Sequence, residues 1–456
     1  MGWGAGSKQF LASIAHSIVL QFQVSVESRT RCCVWDCNKL RSFQVKPAIS
    51  LTPSALLPSG PILKKQSLFA ILFSLTVAPS TIAEEPNPLA GIHWRIEQLT
   101  LDANEGCSIG DINGDGKPDV IAGRNWYAAP EFKPRPLRVI EDWNGYVQSN
   151  GDFLMDVNAD GRIDVIAGSF IPTEVSWYEN PGDEGLRLGQ TWKKHLLVDT
   201  KASENEAQLM QDIDGDGKPE WIVNSWNKKN PLSVWRFTKN EPSKENSAVF
   251  RLEQSVVGKS GNQHGLGVGD INNDGRIDVL IGSGWYEHPN TNPWDQDWKF
   301  HPDWDIQGSI PMIVRDVDLD GKNDLVVGAG HDFGLFWWRQ TETKSDGTLQ
   351  FDKHLIDKSF SQPHALVFAD LDGDGKEELI SGKRYFAHNG GDPGGKDMPE
   401  INAYKLDQGE FRKSTIEQGH VGVGLQIATG DLNGDNRVDV AVAGKSGTFI
   451  LFNLKR

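Results

Sequence analysis

One nine-residue pattern, Asp-x-Asn/Asp-x-Asp-Gly-x-x-Asp/Glu, occurs seven times in this chain of 456 residues. The copies begin at Asp111, Asp156, Asp212, Asp270, Asp316, Asp370 and Asp431, at intervals of 45, 56, 58, 46, 54 and 61 residues. Such a repeat marks one small structural unit that cannot bury its apolar surface alone and must stack on its neighbours. The length by itself suggests two or three domains; the repeat suggests one.

The pattern also states a chemistry. Positions 1, 3, 5 and 9 present hard oxygen donors: Asp111, Asn113, Asp115 and Asp119; Asp156, Asn158, Asp160 and Asp164; Asp212, Asp214, Asp216 and Glu220; Asp270, Asn272, Asp274 and Asp278; Asp316, Asp318, Asp320 and Asp324; Asp370, Asp372, Asp374 and Glu378; Asp431, Asn433, Asp435 and Asp439. Six to eight oxygens in a flexible cage suit Ca²⁺ better than Mg²⁺, up to one ion per loop. Carboxylates so crowded repel one another without a cation. The chain must curl round the ion, which calls for a left-handed residue at position 6; it is Gly in six copies and Asn436 in the last. An EF-hand is excluded, because position 12 is small or apolar (Ala122, Ala167, Val223) and the flanks are not helical. For any single loop a plain Asx-rich turn without metal stays open.

Short β-branched runs follow the loops, such as Asp119-Val-Ile-Ala-Gly123 and Asp324-Leu-Val-Val-Gly328. They are too short for helices and lie between turn residues, so each loop joins two antiparallel strands. An aromatic third strand follows (Trp126-Tyr127, Trp177-Tyr178, Trp235-Arg236, Trp285-Tyr286, Trp337-Trp338, Tyr385-Phe386, Phe449–Phe452). A fourth comes next, at Leu137–Glu141, Trp192–Val198, Phe250–Val256, Trp298–His301, Phe351–Ile356 and Phe411–Ile416. Four strands per repeat make a propeller blade. The chain ends on the third strand of the seventh repeat, and an orphan strand, Trp94–Thr100, stands ahead of the first. The expectation is an all-β, seven-bladed β-propeller over residues 84–456, with the N-terminal strand closing the last blade.

The loop with its flanking Gly-Asp-Ile and Asp-Val-Ile-Ala-Gly resembles the FG-GAP/VCBS repeat of integrin alpha N-terminal propellers and of many secreted bacterial proteins. That resemblance implies a calcium-binding propeller and leaves activity open. His264-Gly-Leu-Gly-Val-Gly-Asp270, Gly284-Trp-Tyr-Glu-His-Pro289 and Arg384–Gly394 are also similar, more loosely, to the propeller domain of aldos-2-ulose dehydratase type proteins. The cupin domain of those enzymes has no counterpart here.

Ahead of the repeats, Lys64 and Lys65 precede an apolar stretch, Ser67–Ala78, which ends in small residues near Ala83. This reads as a secretory signal over 62–83, with 1–61 a leader or an upstream mis-called start. The expected location is secreted, periplasmic or cell-surface, with no membrane span once the signal is removed. Setting aside 1–83, with eight basic and two acidic residues, leaves 38 basic and 60 acidic residues, a net charge of −22. That balance argues against nucleic acid as a partner, since phosphate contact needs clustered cations. Cys107 alone remains of four cysteines, so no internal disulfide braces the domain.

Function is sought at the end of each hairpin opposite its acidic loop. Six positions before each loop stand Glu105, Asn150, Glu206, His264, Ile310, His364 and Leu425. The second strands return to that face with Arg124, Asn125, His331, Asp332, Lys383, Arg384 and Lys445. Two carboxylates and two imidazoles in one structural phase suit a second divalent metal or acid–base work. Glu105, Glu206, His264, His364 and Arg384 are therefore the candidate catalytic residues, and the insertion His388–Lys396 is a candidate rim. Channel mouths are wet, and polar residues there need no purpose. The leading expectation is recognition of an extracellular ligand, a carbohydrate, at this face, with Trp126, Trp226, Trp285 and Trp337 as stacking candidates or as blade packing. The alternative is a metal-dependent sugar lyase or dehydratase. A scaffold without a small ligand is the third reading.

Overall fold

The computed structural model describes residues 87–143, 145–240, 249–259 and 264–455. The leader and signal segments expected over 1–83 lie outside the described residues. The described chain folds into antiparallel four-stranded meanders, numbered here by repeat: 108–136, 151–199, 207–258, 267–301, 312–361, 363–418 and 427–455. Five are separate sheets. Meanders 4 and 5 share an eight-stranded sheet, because Gly267–Gly269 pairs in parallel with Met312–Arg315. The strand Ile92–Thr100 completes meander 7 by pairing antiparallel with Gly447–Lys455.

The apolar runs after each loop are explained by burial on both faces. Successive strand residues point to opposite sides. In Asp119–Ala122, Val120 and Ala122 join a cluster with Ala441, Ala443 and Ile450 of meander 7. Ile121 between them joins Val165, Tyr178 and Trp192 of meander 2. The same alternation yields an apolar cluster between every successive pair of meanders, and the cluster between 7 and 1 closes the circuit. Trp126, Trp177, Trp221 and Trp285 are fully buried in these seams. At ~150–250 Å² each, every one contributes about 4–6 kcal/mol of transfer free energy.

Each acidic loop sits at the tip of the hairpin joining the first two strands of its meander. The expected left-handed residue at position 6 is present throughout, from Gly116 (φ 83°) to Asn436 (φ 62°). Position 4 is left-handed as well, even where it is Ala159 (φ 56°) or Leu319 (φ 61°), a feature the pattern did not announce. Position 9 has a second, structural task. Asp119 accepts the Ile112 N–H (3.0 Å) and, across the sheet, the Ala129 N–H (2.9 Å). Asp164, Asp278, Asp324 and Asp439 repeat this brace.

Three expectations need correction. The fourth strand of meander 1 is Lys133–Pro136, not Leu137–Glu141. Its two prolines speak against a strand, yet an edge position tolerates them, and Leu137 turns into the core. The third strand of meander 6 is Glu400–Asp407; Tyr385 and Phe386 instead open the insertion, and Tyr404 supplies the buried aromatic anchor. Of the four tryptophans proposed for stacking, Trp126, Trp285 and Trp337 are buried between meanders, and only Trp226 is exposed, at 40%.

Candidate metal centre

At the face opposite the acidic loops, the chain ahead of the first strands is stitched from meander to meander. The Glu105 N–H donates to Ser149 O (3.1 Å), Leu425 N–H to Glu105 O (3.0 Å) and Ile310 N–H to His364 O (2.7 Å). Residues of one phase, distant in sequence, thereby converge. Ile310 and Leu425 enter the apolar seam, so the polar members gather to one side.

The gathering is tight. His264 Nε2 lies 2.9 Å from His364 Nε2 and 3.2 Å from a Glu206 oxygen. The other Glu206 oxygen is 3.9 Å from His364 Nε2. His331, from the turn after the second strand of meander 5, completes a set whose ligand atoms all lie within 4.8 Å of one another. Its ring meets that of His264 edge-on at 4.4 Å. The outer nitrogens are held: His264 Nδ1 by Gly308 O (2.7 Å) and His331 Nδ1 by Asp392 (2.9 Å). His331 Nε2 is buried without a hydrogen-bond partner.

Glu105 and Arg384 form the floor. Arg384 donates through Nε (2.8 Å) and Nη2 (3.0 Å) to both oxygens of Glu105, and through Nη1 (2.5 Å) to Glu206. Trp226 Nε1–H also donates to Glu206. Burial pushes both carboxyls up, but Arg384 outweighs it and holds them below the usual carboxylate range, Glu206 well below. Burial, with the Arg384 charge and the neighbouring His264, drives His364 far down. Burial and His264 bring His331 down to about 4. Two buried histidines are thus neutral at pH 7, with lone pairs available, beside an ionised carboxylate.

The insertion in meander 6 closes over this cluster. Phe386, His388, Asn389 and Gly390 all have positive φ (55°, 47°, 56° and 74°). Such backbone costs about 1–3 kcal/mol per non-glycine residue and is kept only where the surroundings enforce it. Lys383 enforces it from beneath: its buried Nζ donates to Ser361 Oγ and Gly394 O, each at 2.6 Å. Asp392 then bridges His331 and the exposed His388 (3.0 Å). Beside the cluster, Trp143, Asn150, Phe170, Arg384, His388 and Lys445 line a recess.

Among the sequence candidates, Glu105, Glu206, His264, His364 and Arg384 come together, as do Asn150, His331 and Lys445. Others do not join. Arg124 turns to Asp102 and Asp142, Lys383 props the insertion, and Asp332 caps the Phe333 N–H. Gly330 was not singled out, and it matters: a Cβ there would lie 2.7 Å from His264 Cε1, 2.9 Å from Gly308 O and 3.1 Å from His364 Cδ2. Its neighbour His331 was the available signal.

The acidic loops form a second class of site. In loops 1, 2, 4, 5 and 7 position 1 accepts the N–H groups of positions 5 and 6, as Asp111 does from Asp115 (3.0 Å) and Gly116 (2.9 Å), and in loops 3 and 6 it accepts those of positions 4 and 6. Where position 3 is Asp, carboxylate oxygens gather within 4.8 Å: Asp212, Asp214 and Glu220; Asp316, Asp318 and Asp320; Asp370, Asp372 and Asp374. Lys405 reaches Asp374 (2.7 Å) and Asp372, and Arg339 reaches Asp320 (3.1 Å) and Asp318. Loops 5 and 6 therefore carry a side-chain counter-charge of their own. The donor set is all oxygen, the kind a hard divalent cation takes.

The arrangement of these sheets defines a β-propeller built from small four-stranded sheets. The family described as FG-GAP-like repeat matches residues 212–281 and 316–381. The chain carries FG-GAP-like repeats. Similar solved structures include an Agrocybe aegerita lectin described as recognising non-reducing terminal N-acetylglucosamine (16% identity, TM-score 0.42, 80% of this chain and 86% of that one). Another is BBS1N in complex with ARL6DN (12% identity, TM-score 0.42, 80% and 97%). A third is the Photorhabdus luminescens Tc holotoxin pore (17% identity, TM-score 0.34, 71% and 15%). No curated protein matches the sequence. Among the described residues no helix is long and apolar enough to cross a membrane.

Proposed function

We propose that the seven meanders are the blades of one closed, exported propeller, that calcium occupies its acidic loops, and that the opposite face holds a transition-metal centre acting on a carbohydrate. The observation that carries this reading is the approach of His264 Nε2 and His364 Nε2 to 2.9 Å with a Glu206 oxygen 3.2 Å away. Two ligands of one tetrahedral ion bound at ~2.05 Å lie roughly 3.4 Å apart; the His264–His364 and His264–Glu206 separations fall somewhat short of that, and the 3.9 Å from Glu206 to His364 Nε2 exceeds it. Three imidazoles with one carboxylate suit zinc, iron or nickel and not calcium. The carbonyl and the carboxylate behind His264 and His331 are the outer partners that orient metal-binding imidazoles.

The bound ion would polarise a carbonyl of the sugar, the chemistry of a carbon–oxygen lyase or dehydratase. The protein's own groups divide the remaining work. Arg384 and Glu105 hold Glu206 in place, so Glu105 is a positioning residue. His388, exposed and held at Nδ1 by Asp392, is the group placed to move a proton at the rim. A purely recognitive role, binding a glycan without turnover, is the second reading; exposed Trp226 and the Trp143–Phe170 pair at 6.0 Å favour it.

Metal analysis after gentle dialysis tests the centre. The expected result is about one transition-metal equivalent beyond calcium, lost in His264→Ala with His364→Ala while calcium is retained. Calcium alone in the wild-type protein would refute it. Glycan binding without product formation would select the second reading.

A further inference from the structure

We infer that loops 5 and 6 hold a side-chain cation where the other five take calcium: the Arg339 guanidinium in loop 5 and the Lys405 ammonium in loop 6. The inference rests on the calcium reading of the acidic loops and divides them into two classes. The division is written in the sheet register. Position 10 of each loop pairs with the third strand, as Val120 does with Tyr127 and Leu379 with Tyr404, and the next residue on that strand stands opposite position 9. That residue is Ala128, Glu179, Glu287 or Phe452 in meanders 1, 2, 4 and 7, and Arg236, Arg339 or Lys405 in meanders 3, 5 and 6. Position 3 sorts the loops in the same way, being Asn in loops 1, 2, 4 and 7 and Asp in loops 3, 5 and 6. The fourth carboxylate and the facing cation thus occur together. Position 7 is Lys or Arg in all seven loops and does not separate them.

Contact decides which of the three cations enters its loop. Lys405 Nζ meets carboxylate oxygens from positions 3, 5 and 9 of loop 6: Asp372, Asp374 at 2.7 Å and Glu378 at 3.6 Å. These belong to three of the four side chains on which an ion in that loop would depend. In loop 5, Arg339 spans the same two places, with Nε on Asp318 and Nη2 on Asp320 at 3.1 Å. Where position 3 is Asn, its own amide N–H reaches position 5, as in Asn158 (3.1 Å) and Asn272 (2.8 Å), and adds no charge that would repel an ion. Arg236 stays out of loop 3. Its guanidinium lies over the Trp294 ring at 5.0 Å, and the Trp294 Nε1–H donates to Asp214 (3.1 Å) in its stead. Loop 3 thus keeps four carboxylates with a neutral donor at position 3. Calcium entering loop 5 or 6 must displace a charge already paired with two or three carboxylates; in the other loops it meets no cation from the third strand.

Equilibrium dialysis of the full-length protein, stripped with chelator and returned to ~1 mM free calcium, the range of weak extracellular sites, tests this by counting ions. The wild type should bind five. Lys405→Met and Arg339→Met should each gain one, and Arg236→Met should gain none. Lys405→Met should also melt below the wild type in chelator, where three carboxylates lose their counter-charge, and recover in calcium. The wild-type count needs no variant to fold. Six or seven ions in the wild type, or an unchanged count in either Lys405→Met or Arg339→Met, overturns the inference and leaves calcium in the loops. No ion in the wild type but one gained in Lys405→Met would uphold the resident cation and overturn the calcium reading of the other loops. No calcium in any of these proteins overturns that reading and this inference with it.

Discussion

Replacing Gly330 with alanine would add a single methyl group to a residue that ligates nothing. Ordinary contact begins at 3.4 Å, yet the new Cβ would stand 2.7 Å from His264 Cε1, so that ring must yield by about 0.7 Å. Retreat is blocked on two sides. Gly308 O, 2.9 Å from the same Cβ, is the atom that anchors His264 Nδ1 at 2.7 Å, and His364 Cδ2 stands at 3.1 Å. Metal–ligand distances tolerate only about ±0.2 Å. Gly330→Ala should therefore lower transition-metal affinity about 10–100-fold, the usual effect of disturbing a ligand's orientation. The accompanying overpacking should cost roughly 1–3 kcal/mol in denaturant unfolding. The assay is competition against a chromophoric chelator. Gly110→Ala is the control: its Cβ would meet Leu154 Cδ1 at 2.5 Å, the far end of a flexible side chain away from the histidines. If Gly330→Ala holds the metal as tightly as the wild type, the packing argument for this site is wrong.

Two further outcomes follow from buried charge. Arg138 and Asp152 form a fully buried ion pair, with Ser149 and the Gly123 N–H on the second oxygen of Asp152. Arg138→Met should cost about 3–5 kcal/mol by chemical denaturation, because an unpaired carboxylate is left in the interior. Burial, against two backbone N–H bonds, raises Asp164 from 3.8 to about 7. In chelator the folded state then keeps a proton that the unfolded chain has lost, so stability should fall as pH rises from about 4 to about 7. Asp164→Asn should flatten that slope, and calcium should oppose it by favouring the ionised form. A slope unchanged in the variant would remove Asp164 as its source.

Much of the site was legible because a propeller converts phase into place. Glu105, Glu206, His264 and His364 stand the same six positions before their loops, so strands in register must carry them to one face. Arg384 and Lys445 were legible from the returning strands. Phase did not say which polar groups pair off. Arg124 stands in the same returning set and turns away to Asp102 and Asp142, whereas Arg384 takes up both glutamates. That choice depends on neighbouring chain, which the repeat does not describe.

The amino-acid order alone determined the hairpins, the acidic cages at their tips and the residue set of the opposite face, because each follows from local turn geometry and a two-residue strand period. Tertiary structure alone decided that His331 joins His264 and His364, that Gly330 must lack a side chain, and that Asp392 reaches back to hold His331. Those contacts join meanders 4, 5 and 6 and the insertion across long stretches of chain, and only the stacking of one blade on the next sets the separations between them.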